Sequence, residues 1–130
     1  MTRYFRWIYL GWLVFIVALI VVQFYLAGYA VFGFNGLNGF GPHFAVGDAI
    51  GIASLIGIAL AFAARVPWRI TAINGLFVVL MIIQVFLAHT GVQALSALHV
   101  VNGVLILGVV GYLTREARTF AMQQPAVAQA

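Results

Sequence analysis

Charge is scarce in this sequence. Only 6% of its 130 residues are charged: six arginines, one aspartate and one glutamate. A soluble domain spends about a quarter of its residues on charge, so nothing here could coat a globular surface against water. Lysine is absent, which excludes a Schiff base to retinal or pyridoxal phosphate. Cysteine is absent too, which removes disulfides, iron–sulfur clusters and thiolate metal sites. The net charge of +4 does not point to nucleic acid. The arginines occur one or two at a time, without the clustering on one face that a phosphate backbone requires.

Hydrophobic residues, by contrast, make up 65% of the chain. A membrane-spanning helix needs roughly 20 consecutive apolar residues, and four stretches qualify: about 7–31, 43–64, 70–89 and 95–114. The first is too long, and lacks the small-residue cleavage pattern, to be read as a removable signal peptide. In lipid every backbone polar group must be satisfied within the segment, so helices are expected throughout. The predicted fold is all-α: one integral-membrane four-helix bundle over residues 1–130. Its only solvent-facing appendage would be an Ala/Gln-rich tail over 120–130, which is expected to be flexible.

The connectors carry helix-boundary chemistry. Pro42 ends a Gly/Asn-rich loop and suits the first turn of the second helix. Arg65–Arg69 (RVPWR) forms a tight basic turn, and Gly91 is placed to cap the third helix. Arg3 and Arg6 precede helix one, Arg65 and Arg69 join helices two and three, and Arg115 and Arg118 follow helix four. All six therefore fall on one side, which the positive-inside rule makes cytoplasmic. Trp7, Trp12 and Trp68 lie toward the same side, as interfacial aromatics would. A multi-pass protein of a bacterial plasma membrane, with both termini cytoplasmic, is expected.

A repeat runs through the polar positions. Helix one holds Val21-Val22-Gln23-Phe24-Tyr25-Leu26-Ala27, and helix three holds Ile82-Ile83-Gln84-Val85-Phe86-Leu87-Ala88. Helix two opens with His43-Phe44-Ala45-Val46-Gly47, and helix four contains His99-Val100-Val101-Asn102-Gly103. Two helical hairpins of one design, in the same orientation, would be related by a pseudo-two-fold axis along the membrane normal.

That symmetry would bring His43 and His99, each in the first turn of an inward-running helix, to one depth in the outer half of the bilayer. Two facing neutral imidazoles suit the axial positions of haem iron. Gly47 and Gly103 lie at i+4 on the same helical faces, with Gly51 a turn beyond Gly47, and would leave room for a flat macrocycle. The competing structural reading of Gly47-x-x-x-Gly51 is close helix packing.

The remaining polar residues differ in what they are expected to do. His89 ends helix three without a symmetric mate. It is read chiefly as an interfacial histidine and, functionally, as a contact to a haem propionate. Gln23 and Gln84 are expected to make interhelical hydrogen bonds or to support the histidines. Asp48, the one acid inside a span, is costly to bury ionised and is expected to pair with Asn102, Gln23 or a histidine N–H, with a proton relay as its functional reading. Asn74 and Ser54 are expected to make packing or local hydrogen bonds.

The run Gln23, Leu26, Gly28, then His43, echoed by Gln84, Leu87, then His99, resembles one four-helix half of haem A synthase. It is also similar to small four-span bacterial membrane proteins with the same Gln…His spacing. The likeness covers nearly the whole chain. Phe40-Gly41-Pro42-His43 departs from the Glu-x-x-His pattern of that family's catalytic half, and the cysteine pair and second bundle are missing. The resemblance thus implies a haem b bound between His43 and His99 rather than haem A synthesis. With both axial positions taken, dioxygen finds no open site, and electron transfer is expected rather than stand-alone catalysis. Expected partners are lipid, with quinol or a larger redox complex, and a homo- or hetero-oligomer is compatible. Three alternatives stand beside this: another tetrapyrrole, a quinone or proton carrier built on Asp48, and a subunit or assembly factor of a respiratory or photosynthetic complex that holds no cofactor.

Overall fold

The computed structural model describes residues 2–33 and 39–122. They form four helices: α1 (Thr2–Phe32), α2 (Gly41–Ala63), α3 (Trp68–His89) and α4 (Gln93–Met122). All four are long and apolar enough to cross a membrane. The expected all-α membrane bundle is the observed fold.

Each helix turns one stripe inward, at spacings of three and four residues. On α1 the stripe is Tyr9, Leu13, Ile16, Ile20; on α3 it is Ile70, Asn74, Phe77, Met81; on α4 it is Asn102, Ile106, Val110, Leu113, Ala117, Ala121. This spacing stays close to the 3.6-residue turn, so each helix keeps one face toward the bundle interior. On α2 the inward positions are small, with Ala53, Ser54, Gly57 and Ala61 buried. Small residues let helix backbones approach in lipid, where the surrounding acyl chains are as apolar as the core and expulsion of water does not drive packing. The outer faces are apolar as well: Phe15, Ile52, Phe62, Val79, Ile82 and Val100 are all exposed.

The helices pack in a ring, α1 against α2 and α4, and α3 against α2 and α4, so α1/α3 and α2/α4 are the diagonal pairs. All six arginines gather at one end of the bundle and His43, His89 and His99 toward the other. Local chemistry places the boundaries as expected at two points. Pro42 sits in the first turn of α2, where its missing N–H costs nothing. Gly91 adopts φ +67 just after the C-cap Thr90 of α3, a left-handed conformation that glycine takes without strain. Between α2 and α3, Arg65 takes φ 52 and Pro67 caps α3.

Two expectations about extent are corrected. Helix α4 runs to Met122, two turns past the predicted end at 114, because Ala117 and Ala121 continue the buried stripe from Leu113. Arg6 Nη1 also donates to the Phe120 carbonyl at 3.2 Å, and the Arg69 guanidinium lies 3.6 Å from the Glu116 carboxylate. The first three residues of the predicted flexible tail are thus helical, while 123–130 lie outside the described residues, as do 34–38 of the Gly/Asn loop. Trp12, expected at the interface, instead packs inward. Its indole N–H is buried, and a Cβ placed on Gly57 of α2 would come 4.0 Å from that nitrogen. Trp7 and Trp68 are exposed, as interfacial aromatics would be.

Candidate functional site: two Gln–His half-sites

At the histidine end the two hairpins build the same local structure. In the first, His43 Nδ1 lies 3.1 Å from the Gln23 carbonyl oxygen. In the second, His99 Nδ1 lies 3.1 Å from the Gln84 carbonyl oxygen. A carbonyl can only accept, so each Nδ1 carries the proton and donates. The Nε2 nitrogens are then the unprotonated, basic ones. The geometry needs a helix carbonyl whose second lone pair accepts beside its own intrahelical bond, and a histidine in the first or second turn of the next helix. Each hairpin supplies both.

The two imidazoles come from the diagonal helices α2 and α4 and meet near the bundle centre, with ring centroids 6.1 Å apart and planes inclined by 57°. His43 is buried. The expectation that both rings sit at one height is met, with one adjustment. His99 lies in the second turn of α4 because that helix begins at Gln93, whereas His43 is in the first turn of α2.

The glutamine amides occupy the glycine faces. A Cβ on Gly47 would come 2.9 Å from Gln23 Nε2, and one on Gly103 would come 3.5 Å from Gln84 Nε2. The expectation that these glycines face open space for a macrocycle is corrected: in this conformation they make room for the side-chain amide of the neighbouring helix. Gly51 faces Met81, 3.9 Å from a built Cβ, and contributes helix packing.

The half-sites then diverge. Gln23 Nε2 donates to the His43 carbonyl at 2.8 Å, whereas Gln84 Nε2 lies 3.1 Å from His99 Nε2, donating to its basic nitrogen. Asn102 Nδ2 donates to Gln84 Oε1 at 2.7 Å and to the Leu80 carbonyl at 2.9 Å. The repeat places Val46 where α4 has Asn102, and Gln23 Oε1 is correspondingly buried with no partner among the described residues. Asn102 is therefore a member of this site that sequence reasoning assigned to Asp48 instead. The signal available was its position three residues after His99, on the buried face.

Asp48 makes none of its expected pairs. Its backbone position turns it to the exposed side of α2, where it lines the rim of a cavity shared with His43, Gln84, His89 and His99. His89 is exposed at the end of α3; its Nδ1 lies 2.8 Å from the Val85 carbonyl one turn back, and its ring is 6.4 Å from that of Phe44. That cavity, about 40 Å³, opens between α2 and α3. A second, about 140 Å³, opens between α1 and α4 beside Phe24, Ala27 and Gly103. The histidine pair thus separates two small cavities on opposite flanks of the bundle.

Among the described residues, no group of three or more His, Asp or Glu is close enough to hold a metal ion. Two imidazoles alone leave a bare ion short of ligands. The donor set suits a metal that brings its own equatorial ligands.

A second polar cluster lies nearer the arginine end, and only Asn74 and Ser54 of its members were singled out in the sequence. Asn74 Nδ2 donates to the Tyr9 hydroxyl at 2.7 Å and to the Ile70 carbonyl at 2.9 Å. Ser54 donates to the Gly51 carbonyl at 2.6 Å. Tyr9 and Asn74 are both fully buried and lock α1 to α3 across the diagonal, which is the structural role expected of Asn74.

A protein family described as a family of unknown function (DUF6220) matches residues 23–91. The matched segment begins at Gln23, includes His43, Gln84 and His89, and ends before His99. No curated protein and no solved structure matches the chain.

Proposed function

We propose that this chain, which belongs to the DUF6220 family, is a four-helix membrane cytochrome b that carries one haem between His43 and His99 and transfers electrons. The observation that carries the reading is the matched pair of Nδ1–H···O=C bonds at 3.1 Å. A backbone carbonyl on Nδ1 fixes the tautomer and ring orientation and raises the basicity of Nε2, which is how ligating histidines are held. An imidazole nitrogen sits about 2 Å from a bound first-row metal. Two axial imidazoles therefore place their ring centres roughly 6 Å apart, and the observed separation is 6.1 Å.

The residues fit such a group in donor chemistry and spacing. Fit in volume requires the Gln84 amide to swing off His99 Nε2, and the two cavities of about 40 and 140 Å³ to merge past Phe24 and Gln84 and widen by helix movement, since pockets for molecules of this kind take at least about 300 Å³. With both axial positions filled by protein, the haem would supply one-electron transfer and no open site for dioxygen. The chain's own residues would orient the ligands (Gln23 and Gln84 through their carbonyls), hold Gln84 aside (Asn102) and shield the metal from water. His89 spends its Nδ1–H on the Val85 carbonyl, so it would donate to a haem propionate only through Nε2 of a doubly protonated ring.

The arginine distribution supports cytoplasmic placement of both termini in a bacterial plasma membrane by the positive-inside rule, which puts the haem near the outer face. Quinol or a larger redox complex would then be the electron donor or acceptor. A tetrapyrrole other than haem would use the same histidines.

A second reading has its own support. Gln84, His99 and Asn102 satisfy one another, so the half-sites also serve as interhelical hydrogen-bond stitching in a subunit or assembly factor that binds no cofactor. The reduced-minus-oxidised visible spectrum of the protein purified from membranes separates the two. The haem reading expects sharp bands that vanish in the His43→Ala/His99→Ala double variant. Absence of bands in the wild type, or their persistence in the double variant, contradicts it.

A further inference from the structure

Far from the histidines, a groove of about 620 Å³ runs along the outer seam of α1 and α4 at the arginine end. Its α1 wall is a stripe of Trp7, Leu10 and Val14; its α4 wall carries Gly111, Arg115 and Arg118. Gly111 leaves the α4 side of the groove open: a Cβ built there meets nothing within 4 Å. Helices α1 and α4 are antiparallel neighbours, so the apolar stripe and the two arginines form one continuous surface, apolar toward the bundle middle and cationic toward its end. From Trp7 to Val14 the stripe is about 10 Å long at 1.5 Å per residue.

The other cations with partners at this end are committed elsewhere. Arg69 lies 3.6 Å from Glu116, and Arg6 is bonded to the Phe120 carbonyl. Arg115 and Arg118, three residues apart on one helical face, are exposed and have no ion pair among the described residues. Two arginines with the fork geometry that matches phosphate stand over an apolar slot, at the level where the apolar part of α4 gives way to charge. Trp7, nearly half exposed at 46%, sits beside them as an aromatic at a headgroup boundary would.

We infer that this groove binds one anionic phospholipid, its phosphate held by Arg115 and Arg118 and an acyl chain lying along Leu10 and Val14 over Gly111. Basic pockets between spanning helices recognise anionic headgroups in this way. A zwitterionic lipid would bring a cation of its own toward the arginines. A second copy of this chain, packed by two-fold symmetry on the same face, would oppose its own Arg115 and Arg118 to these, and like charges disfavour that arrangement.

The test is native mass spectrometry of the delipidated full chain in detergent, titrated with phosphatidylglycerol or phosphatidylcholine. One phosphatidylglycerol should be retained in preference to phosphatidylcholine. Arg115→Gln/Arg118→Gln should weaken that retention about twenty-five-fold, taking about five-fold per arginine. Arg3→Gln/Arg65→Gln removes the same charge from the same end, outside the groove, and should change it less than two-fold. Gly111→Leu keeps both arginines but sets a side chain in the path of the acyl chain, where the space is open, and should also abolish preferential retention. Equal binding of the two lipids, equal losses in the two double variants, or full retention in Gly111→Leu would overturn the assignment. So would a wild-type dimer that Gly111→Leu converts to monomer, since the groove would then belong to a second copy.

Discussion

Removing the Asn102 amide should make the second half-site resemble the first. Asn102→Val, the residue at the corresponding repeat position, deletes two hydrogen bonds: 2.7 Å to Gln84 Oε1 and 2.9 Å to the Leu80 carbonyl. Side-chain hydrogen bonds between membrane helices average about 0.6 kcal/mol and reach about 1.7. Two of them give an expected loss of ~1 kcal/mol, and orphaning buried Gln84 Oε1 raises this toward ~2 kcal/mol. By the size scaling of soluble domains, that corresponds to a fall in Tm of roughly 3–8 °C. The converse change, Val46→Asn, supplies a donor three residues after His43, where Gln23 Oε1 is buried without one; it should be neutral or stabilising by up to ~1 kcal/mol. Thermal unfolding in detergent, followed by circular dichroism, measures both. An Asn102→Val protein as stable as wild type, or a Val46→Asn protein less stable than Asn102→Val, would refute the repeat-based reasoning about this network.

The glycines give a graded series. Gly47→Ala puts a methyl 2.9 Å from Gln23 Nε2, so the amide must leave the His43 carbonyl, whereas Gly103→Ala meets Gln84 at an ordinary 3.5 Å; by melting temperature the first should be destabilised by ~1–2 kcal/mol and the second by well under 1. Tyr9→Phe removes the acceptor for Asn74 Nδ2 while leaving its bond to the Ile70 carbonyl, and should cost about 1 kcal/mol in the same assay. Glu116→Gln breaks a pair whose arginine is largely in solvent; a stability change above ~0.5 kcal/mol would contradict that account. Asp48→Asn should leave any haem content unchanged, since the carboxylate pairs with neither histidine; loss of haem bands would restore it to the site.

Much of this was legible in the sequence, because lipid leaves few solutions: four apolar runs must be four helices, and scattered arginines mark one end. The repeat at Gln23/Gln84 and His43/His99 was legible because polar residues are rare enough here to be landmarks. What failed was the assignment of residues to faces. In a soluble helix the polar face reports its own direction; here the outside is as apolar as the inside. Asp48 follows His43 by five residues, about 140° round the helix at 100° per residue, so it could not share the buried face. Trp12 was read by depth alone, although it neighbours Leu13 and Ile16 of the inward stripe. The glycines were read as space for a ligand because the length of a glutamine side chain, reaching across to them, is invisible in one-dimensional spacing. The continuation of α4 was hidden by Arg115, Glu116 and Arg118, whose charge signals the end of a span but not of a helix.

The central claim, that His43 and His99 fill both axial positions of one haem iron, is tested most directly by electron paramagnetic resonance of the oxidised, membrane-purified protein. The wild type should give a low-spin ferric signal, converted to high-spin by His43→Ala and by His99→Ala singly. A high-spin wild-type signal, a low-spin signal that survives either substitution, or no haem signal would contradict it.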